Sequence, residues 1–223
     1  MTTTLGINGF GRIGRTTLAS ISEYSRNDVV VSKINAPGPI ETNAHLLRYD
    51  SVHGRFAAKV EVKENSLDLG RGPIEVSSSY NAADLDWSGC DVVLECTGKF
   101  TTYDKALTHV KNGAKSVLIS APAKNVDRTV IFGVNEHQIT GKEQILSNGS
   151  CTTNCLAPIA KILNNAVGIE HGMMTTIHSY TGDQPTLDKK HDDLYRCRAA
   201  AMAMIPTSTC LLYTSPSPRD WLQ

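Results

Sequence analysis

The stretch Ser147-Asn148-Gly149-Ser150-Cys151-Thr152-Thr153-Asn154-Cys155 sets a thiol among hydroxyls. It lies between a short apolar run, Gln144-Ile145-Leu146, and an apolar-periodic segment from Cys155 to Leu163. That order predicts a turn that opens a helix at Cys151. Unpaired backbone N–H groups and the positive end of the helix dipole favour a thiolate there, and the thiolate is the nucleophilic form. A cysteine is more commonly a small buried apolar residue, but Ser150, Thr152 and Thr153 argue against an apolar pocket. His178 follows on a segment with two threonines, Thr175 and Thr176, and suits a proton donor and acceptor at neutral pH. Cys151 and His178 are therefore the candidate nucleophile and base. A Cys–His hydrolase is a rival reading and needs a third, orienting group. Cys151 and Cys155 sit one helical turn apart, but no second Cys/His pair has zinc-like spacing, so no metal site is expected.

A second signal lies near the start. Gly9, Gly11 and Gly14 form G-x-G-x-x-G between a strand-like run, Leu5-Gly6-Ile7-Asn8, and a helix-like run reaching about Tyr24. In that setting one glycine makes the tight turn, one admits a pyrophosphate to the backbone, and one lets helix pack on strand. A hydrolase leaves this fingerprint unexplained. In NAD-binding units an acid ends the second strand and bonds the adenosine ribose. Here that strand ends Lys33-Ile34-Asn35-Ala36-Pro37-Gly38. The missing carboxylate leaves NAD or NADP as the cofactor, with Lys33 a candidate partner for a 2′-phosphate.

The elements that must position these residues alternate short apolar runs with helical patterns. Strands are expected at 29–31, 91–96, 116–120, 129–132 and 145–146, small strands within 56–76, and helices at 42–50 and 102–111. This pattern predicts an α/β fold, a Rossmann-like doubly wound parallel sheet. Ligands collect at the C-terminal ends of such strands, which brings the loops at Thr97 and Ser120 to the cofactor. Residues 170–181 alternate with period two and read as a strand. Residues 184–198 read as a long polar loop, and 198–204 as helix by propensity.

Lys plus Arg and Asp plus Glu each number 22 in the 223 residues. This balance carries no electrostatic footprint for nucleic acid or an acidic membrane surface. No apolar run approaches the length of a membrane span, and the early strand leaves no room for a cleavable signal peptide. Cysteines at 90, 96, 151, 155, 197 and 210 do not form a secreted disulfide pattern, so a cytoplasmic location is expected.

Taken together, these residues resemble the phosphorylating glyceraldehyde-3-phosphate dehydrogenases. The resemblance rests on Asn8-Gly9-Phe10-Gly11-Arg12-Ile13-Gly14-Arg15, Tyr49-Asp50-Ser51-Val52-His53-Gly54, Glu95-Cys96-Thr97-Gly98 and Ser120-Ala121-Pro122. It is completed by Ser150-Cys151-Thr152-Thr153-Asn154 and Thr175-Thr176-Ile177-His178-Ser179-Tyr180-Thr181. It implies a cofactor domain over 1–150, an incomplete α+β catalytic domain over 151–210, and an unrelated, disordered tail over 211–223. It also implies glyceraldehyde 3-phosphate and inorganic phosphate as partners, and a homotetramer for the full-length family member. Cys151 and His178 would act on the aldehyde. Gly9, Gly11, Arg12, Ile13, Gly14, Ala36, Thr97 and Ser120 would approach the dinucleotide. Ser150, Thr152, Thr181, Arg196 and Thr209 would hold phosphates.

The resemblance replaces the helix at 198–204 with an extended loop. It departs from the family pattern at Ala36, where an Asp is usual, at Tyr80 and Tyr195, where arginines are usual, and at Cys210, where Gly is usual. Erythrose-4-phosphate dehydrogenation and an inactive dinucleotide-binding fragment are the alternatives. The resemblance implies that a chain lacking the rest of the catalytic domain is weakly active or inactive alone.

Overall fold

Alternating apolar runs in a parallel sheet need crossover helices to bury both faces, and the computed structural model, which describes residues 2–207, has this arrangement. Strand β1 (Thr3–Asn8) leads through a glycine turn to α1 (Arg12–Glu23), then β2 (Val29–Asn35) and α2 (Ile40–Arg48). A two-stranded antiparallel pair follows, β3 (Tyr49–Asp50) with β4 (Gly54–Arg55). Next come the short strands β5 (Glu61–Lys63), β6 (Ser66–Asp68) and β7 (Pro73–Ser77), then β8 (Val92–Glu95), α3 (Tyr103–Lys111), β9 (Ser116–Ile119), β10 (Arg128–Thr129) and β11 (Ile145–Ser147). The nine-stranded sheet has the order β10-β11-β9-β8-β1-β2-β7-β6-β5. It is parallel from β10 to β7, and β6 and β5 add an antiparallel edge.

After β1 the chain steps to one side through β2 and β7, then returns to the other side of β1 with β8. Such a reversal is where doubly wound sheets bind ligands, which points to the C-terminal ends of β1 and β8. Two apolar clusters fill the sheet's surroundings. Ile7, Leu18, Ile34, Leu47 and Leu67 belong to one, and Trp87, Val93, Val117, Ile119 and Ile145 to the other. Each fully buried side chain of this size stabilises by about 1.5–3 kcal/mol relative to exposure. Leu18 sits four residues after Gly14 on the buried stripe of α1, and His109 three after Ala106 on that of α3.

The chain divides into two compact units, Met1–Gly149 and Ser150–Gln223. The second begins with α4 (Cys151–Val167), which ends at Gly168 with φ +74°. Beyond it, residues 169–181 form no strand, contrary to the period-two reading. Alternation specifies a strand only where a neighbour takes up its backbone N–H and C=O groups, and no ladder partner pairs with this segment among the described residues. Residues 198–204 are not helical either, in agreement with the resemblance and against propensity. The loop before them contains one 3₁₀ turn, Leu194–Cys197, capped by Asp193 Oδ1 accepting from Tyr195 N at 3.0 Å. The strand expected at 129–132 shortens to Arg128–Thr129, because Asn135 Oδ1 accepts from Ile131 N. Thr209, Cys210 and the expected tail at 211–223 lie outside the described residues.

Candidate functional site

Ser150 is the N-cap of α4. Its Oγ accepts from Thr153 N at 3.0 Å and lies 2.8 Å from Thr153 Oγ1. Cys151 is thus the first helical residue, where N–H groups lack intrahelical acceptors. Its Sγ lies 3.1 Å from His178 Nε2, and His178 Nδ1 donates to the Ser179 carbonyl at 2.6 Å. The Nδ1–H bond leaves Nε2 as the atom that exchanges a proton with sulfur. Partial burial alone would raise the Cys151 thiol pKa. The His178 hydrogen bond and charge, with the Thr152 amide and hydroxyl, outweigh it and bring the thiol below its ordinary value. The Ser179 carbonyl and the facing thiolate raise His178, against a smaller opposing effect of burial. Lowered thiol and raised imidazole are two sides of one interaction.

Cys96 shows the opposite environment: burial pushes its thiol up to about 11, only partly offset by a hydrogen bond with Ser120. Cys155 is exposed one turn along α4 from Cys151. Among the described residues, no group of three His, Cys, Asp or Glu side chains is placed to hold a metal.

In the first unit the glycines form a cradle. Gly9 has φ +93°, and a Cβ there would meet the Thr97 side chain at 2.7 Å. A Cβ on Gly14 would lie 2.2 Å from the Gly9 carbonyl oxygen, so helix and turn touch there. Gly11 has open space, and as N-cap of α1 it brings no side-chain hydrogen bond to the first turn. The free N–H groups of α1 with nothing above Gly11 fit a dinucleotide pyrophosphate. Arg12 and Ile13 begin the helix and are exposed, with Arg12 paired to Asp50. The amide of His53, with Arg12, holds the Asp50 carboxyl well below the usual carboxylate range.

Ala36 follows β2, is buried, and donates its N–H to the Ser77 carbonyl at 2.8 Å. Tyr80 is exposed, with Lys99 Nζ 6.0 Å from its ring centre. Ser120 N donates to the Glu95 carbonyl at 3.0 Å. Lys33 is engaged elsewhere: its Nζ donates to Asp86 Oδ2 at 2.6 Å and to the Asp86 carbonyl at 3.1 Å. Two carboxylates compete for it, since Glu75 lies 3.9 Å away.

Of the expected phosphate-binding residues, the structure gathers Ser150 and Thr152 around Cys151, with their hydroxyls used in the cap and against the thiol. Thr181 and Arg196 make hydrogen bonds elsewhere. Thr181 N and Oγ1 both donate to Gln184 Oε1, at 2.7 and 3.0 Å. Arg196 Nη1 donates to Asp183 Oδ2 at 2.5 Å, and its Nε lies 3.5 Å from Asp193 Oδ2. Sequence reasoning missed the Ser179 carbonyl, since any residue type supplies one. It also missed the buried polar set Asn8, Asn35, Glu95 and His109, of which Asn8 and Glu95 were read only as members of motifs.

Fold and site define a class: a dinucleotide-binding α/β chain carrying a histidine-paired thiol at a helix N-terminus. Residues 3–103 match the family described as the NAD binding domain of glyceraldehyde 3-phosphate dehydrogenase, and residues 150–212 match that family's C-terminal domain. The chain is 59% identical over 209 residues to the glyceraldehyde-3-phosphate dehydrogenase of Cereibacter sphaeroides and 60% identical over 211 to that of Xanthobacter flavus. It is 49% identical over 212 residues to that of Geobacillus stearothermophilus. Each match covers 94% of this chain and 63% of the relative, so the chain spans somewhat under two thirds of these relatives' length. The chain belongs to the glyceraldehyde-3-phosphate dehydrogenase family, with NAD(P) as its cofactor class.

Proposed function

We propose that this chain carries the cysteine–histidine part of a phosphorylating aldehyde dehydrogenase, whose full-length form converts glyceraldehyde 3-phosphate and inorganic phosphate to 1,3-bisphosphoglycerate. The observation that carries the reading is the Cys151 Sγ–His178 Nε2 approach of 3.1 Å at the first residue of α4. Cys151 thiolate attacks the aldehyde carbon and forms the C–S bond of a thiohemiacetal. His178 gives its Nε2 proton to the oxygen as negative charge develops there, and the Cys151 backbone N–H at the helix start supports the same oxygen. Held at the cradle of Gly9, Gly11 and Gly14, NAD(P) would supply the acceptor for the hydride leaving that carbon. His178 takes the hydroxyl proton back as the carbonyl of the thioester forms. A phosphate oxygen then attacks this carbonyl and releases its proton to solvent, the C–S bond breaks, and the thiolate returns to its imidazolium partner.

Ser150 and Thr152, and through rearrangement of their present partners Thr181 and Arg196, are the proposed phosphate ligands. Thr209 completes the set. Gly9, Gly11, Arg12, Ile13, Gly14, Ala36, Thr97 and Ser120 are the proposed dinucleotide contacts. The end of β2, Asn35 and then Ala36, presents no carboxylate to repel a 2′-phosphate, which supports use of both NAD and NADP. A cytoplasmic location and a homotetramer of full-length subunits complete the proposal. Among the described residues, no helix is long and apolar enough to cross a membrane.

The test is mass spectrometry of the protein incubated with glyceraldehyde 3-phosphate and NAD+ or NADP+ without phosphate. An acyl adduct on Cys151, discharged by phosphate and absent without dinucleotide, is expected. Dinucleotide binding with no adduct would leave the chain as a binding protein and overturn the catalytic reading.

A further inference from the structure

We propose that Glu95 is a positioning residue for the dinucleotide site, tying the loop after β1 to the loop after β8 before any ligand arrives. The inference rests on the cofactor reading above. Glu95 ends β8 and its side chain is fully buried. Four donors surround it. Oε1 accepts from Thr97 N at 2.7 Å and from the Thr97 hydroxyl. Oε2 accepts from Asn8 Nδ2 at 2.6 Å and from His109 Nε2 at 3.0 Å.

The direction of the histidine bond follows from its far side. Trp87 Nε1 lies 3.0 Å from His109 Nδ1, and an indole N–H only donates. Nδ1 is therefore the acceptor, and the imidazole proton sits on Nε2, facing Glu95. Asn8 Nδ2, 3.4 Å from His109 Nε2, is then a second donor sharing the same carboxylate oxygen. Asn8 Oδ1 in turn accepts from Asn35 Nδ2 at 2.8 Å, and Asn35 Oδ1 accepts from Ser79 N at 3.0 Å. One polar chain thus crosses the C-terminal ends of β7, β2, β1 and β8, the edge at which such sheets bind ligands.

Burying a carboxylate is costly even when paired, and a well-packed apolar substitute is often as stable. What the charge does here is shape two loops. Glu95 turns the Thr97 hydroxyl inward, where Thr97 Oγ1 also accepts from Lys99 N at 3.1 Å. The Thr97 methyl is left against Gly9, at the spot a Cβ on Gly9 would need. On the other side Asn8 is held at the residue before Gly9, whose N–H donates to the Asn35 carbonyl at 3.0 Å. The backbone that meets a pyrophosphate is thereby fixed in advance, and pre-organisation of this kind raises affinity.

Glu95→Gln keeps the shape but points an NH2 at donors whichever way the amide turns. In this variant the Kd for NAD+ or NADP+ is expected to rise about tenfold, as the competent loop population falls to about a tenth. Amide exchange at Phe10, Gly11 and Gly98 should quicken in the nucleotide-free protein. Trp87→Phe cuts the same chain beyond His109. It is expected to lower Tm while leaving Kd and those amides within about twofold of wild type. If Glu95→Gln lowers Tm but leaves Kd and loop exchange unchanged, the positioning role is overturned and the network is only structural. If the wild-type chain binds neither dinucleotide, the cofactor reading fails and the exchange rates alone decide the role of Glu95. Should Glu95→Gln fail to fold, Thr97→Val removes one link and keeps the methyl packing. About a threefold rise in Kd with faster exchange at Gly11 supports the role, and unchanged values overturn it.

Discussion

The two units of this chain hold their functional groups by different means. Among the described residues, every buried apolar side chain but Ala199 belongs to the first unit. There a core fixes the strands, and the strands fix the glycine cradle. In the second unit, where the chain spans only part of its relatives' length, the 17-residue helix α4 buries only Thr152, with Ile162 67% exposed and Val167 81% exposed, so this exposure describes the part present. The Cys151–His178 pair is built instead from short-range devices: an N-cap, a carbonyl on the next residue, and a thiol–imidazole contact. Electrostatic activation of a thiol needs a local arrangement of dipoles, whereas a dinucleotide cradle needs several strands in register.

Core substitutions should break this contrast most strongly. Ile7→Ala, at a fully buried position, is expected to cost about 3 kcal/mol in urea unfolding. Ile162→Ala on α4 should stay within about 0.5 kcal/mol, and equal costs would mean that α4 is covered by a core of its own. The thiols give the next largest effect. Burial raises Cys96 to about 11, whereas its histidine partner holds Cys151 below the ordinary thiol value. Alkylation at neutral pH, mapped by peptide mass spectrometry, should favour Cys151 by more than about tenfold. Ser150→Ala removes the cap of α4 and should cost about 1 kcal/mol of that helix's stability. The expected readout is faster amide exchange at Thr153 with no change at Val93 or Val117 in the first unit's core.

Much of the first unit was legible because its signals are mechanical. Gly9 and Gly14 mark contacts that a Cβ would violate and Gly11 marks open space at the helix start, and the Cys151 turn was readable from the cap residue and the apolar period that follows. The strand expected at 170–181 failed because alternation records a preference for a partner and cannot supply one. The pairing of Lys33 with Asp86, 53 positions away in sequence, had no local signal. Glu95 was legible only as part of a motif. Its four donors come from Asn8, Thr97 and His109, and nothing in their types announces that they share one carboxylate.

The most direct test of the central claim is the pH–rate profile for alkylation of Cys151, compared between the chain and His178→Asn, both in a Cys155→Ser background. A thiol whose pKa is depressed is thiolate above that lowered value, so its reactivity persists as pH falls below the ordinary thiol range. Removing the imidazole partner should shift the profile to higher pH and slow alkylation at pH 7 about tenfold. The two proteins should converge at high pH, where both thiols are ionised. Superimposable profiles would contradict the account, leaving Cys151 an ordinary surface thiol beside an unrelated histidine.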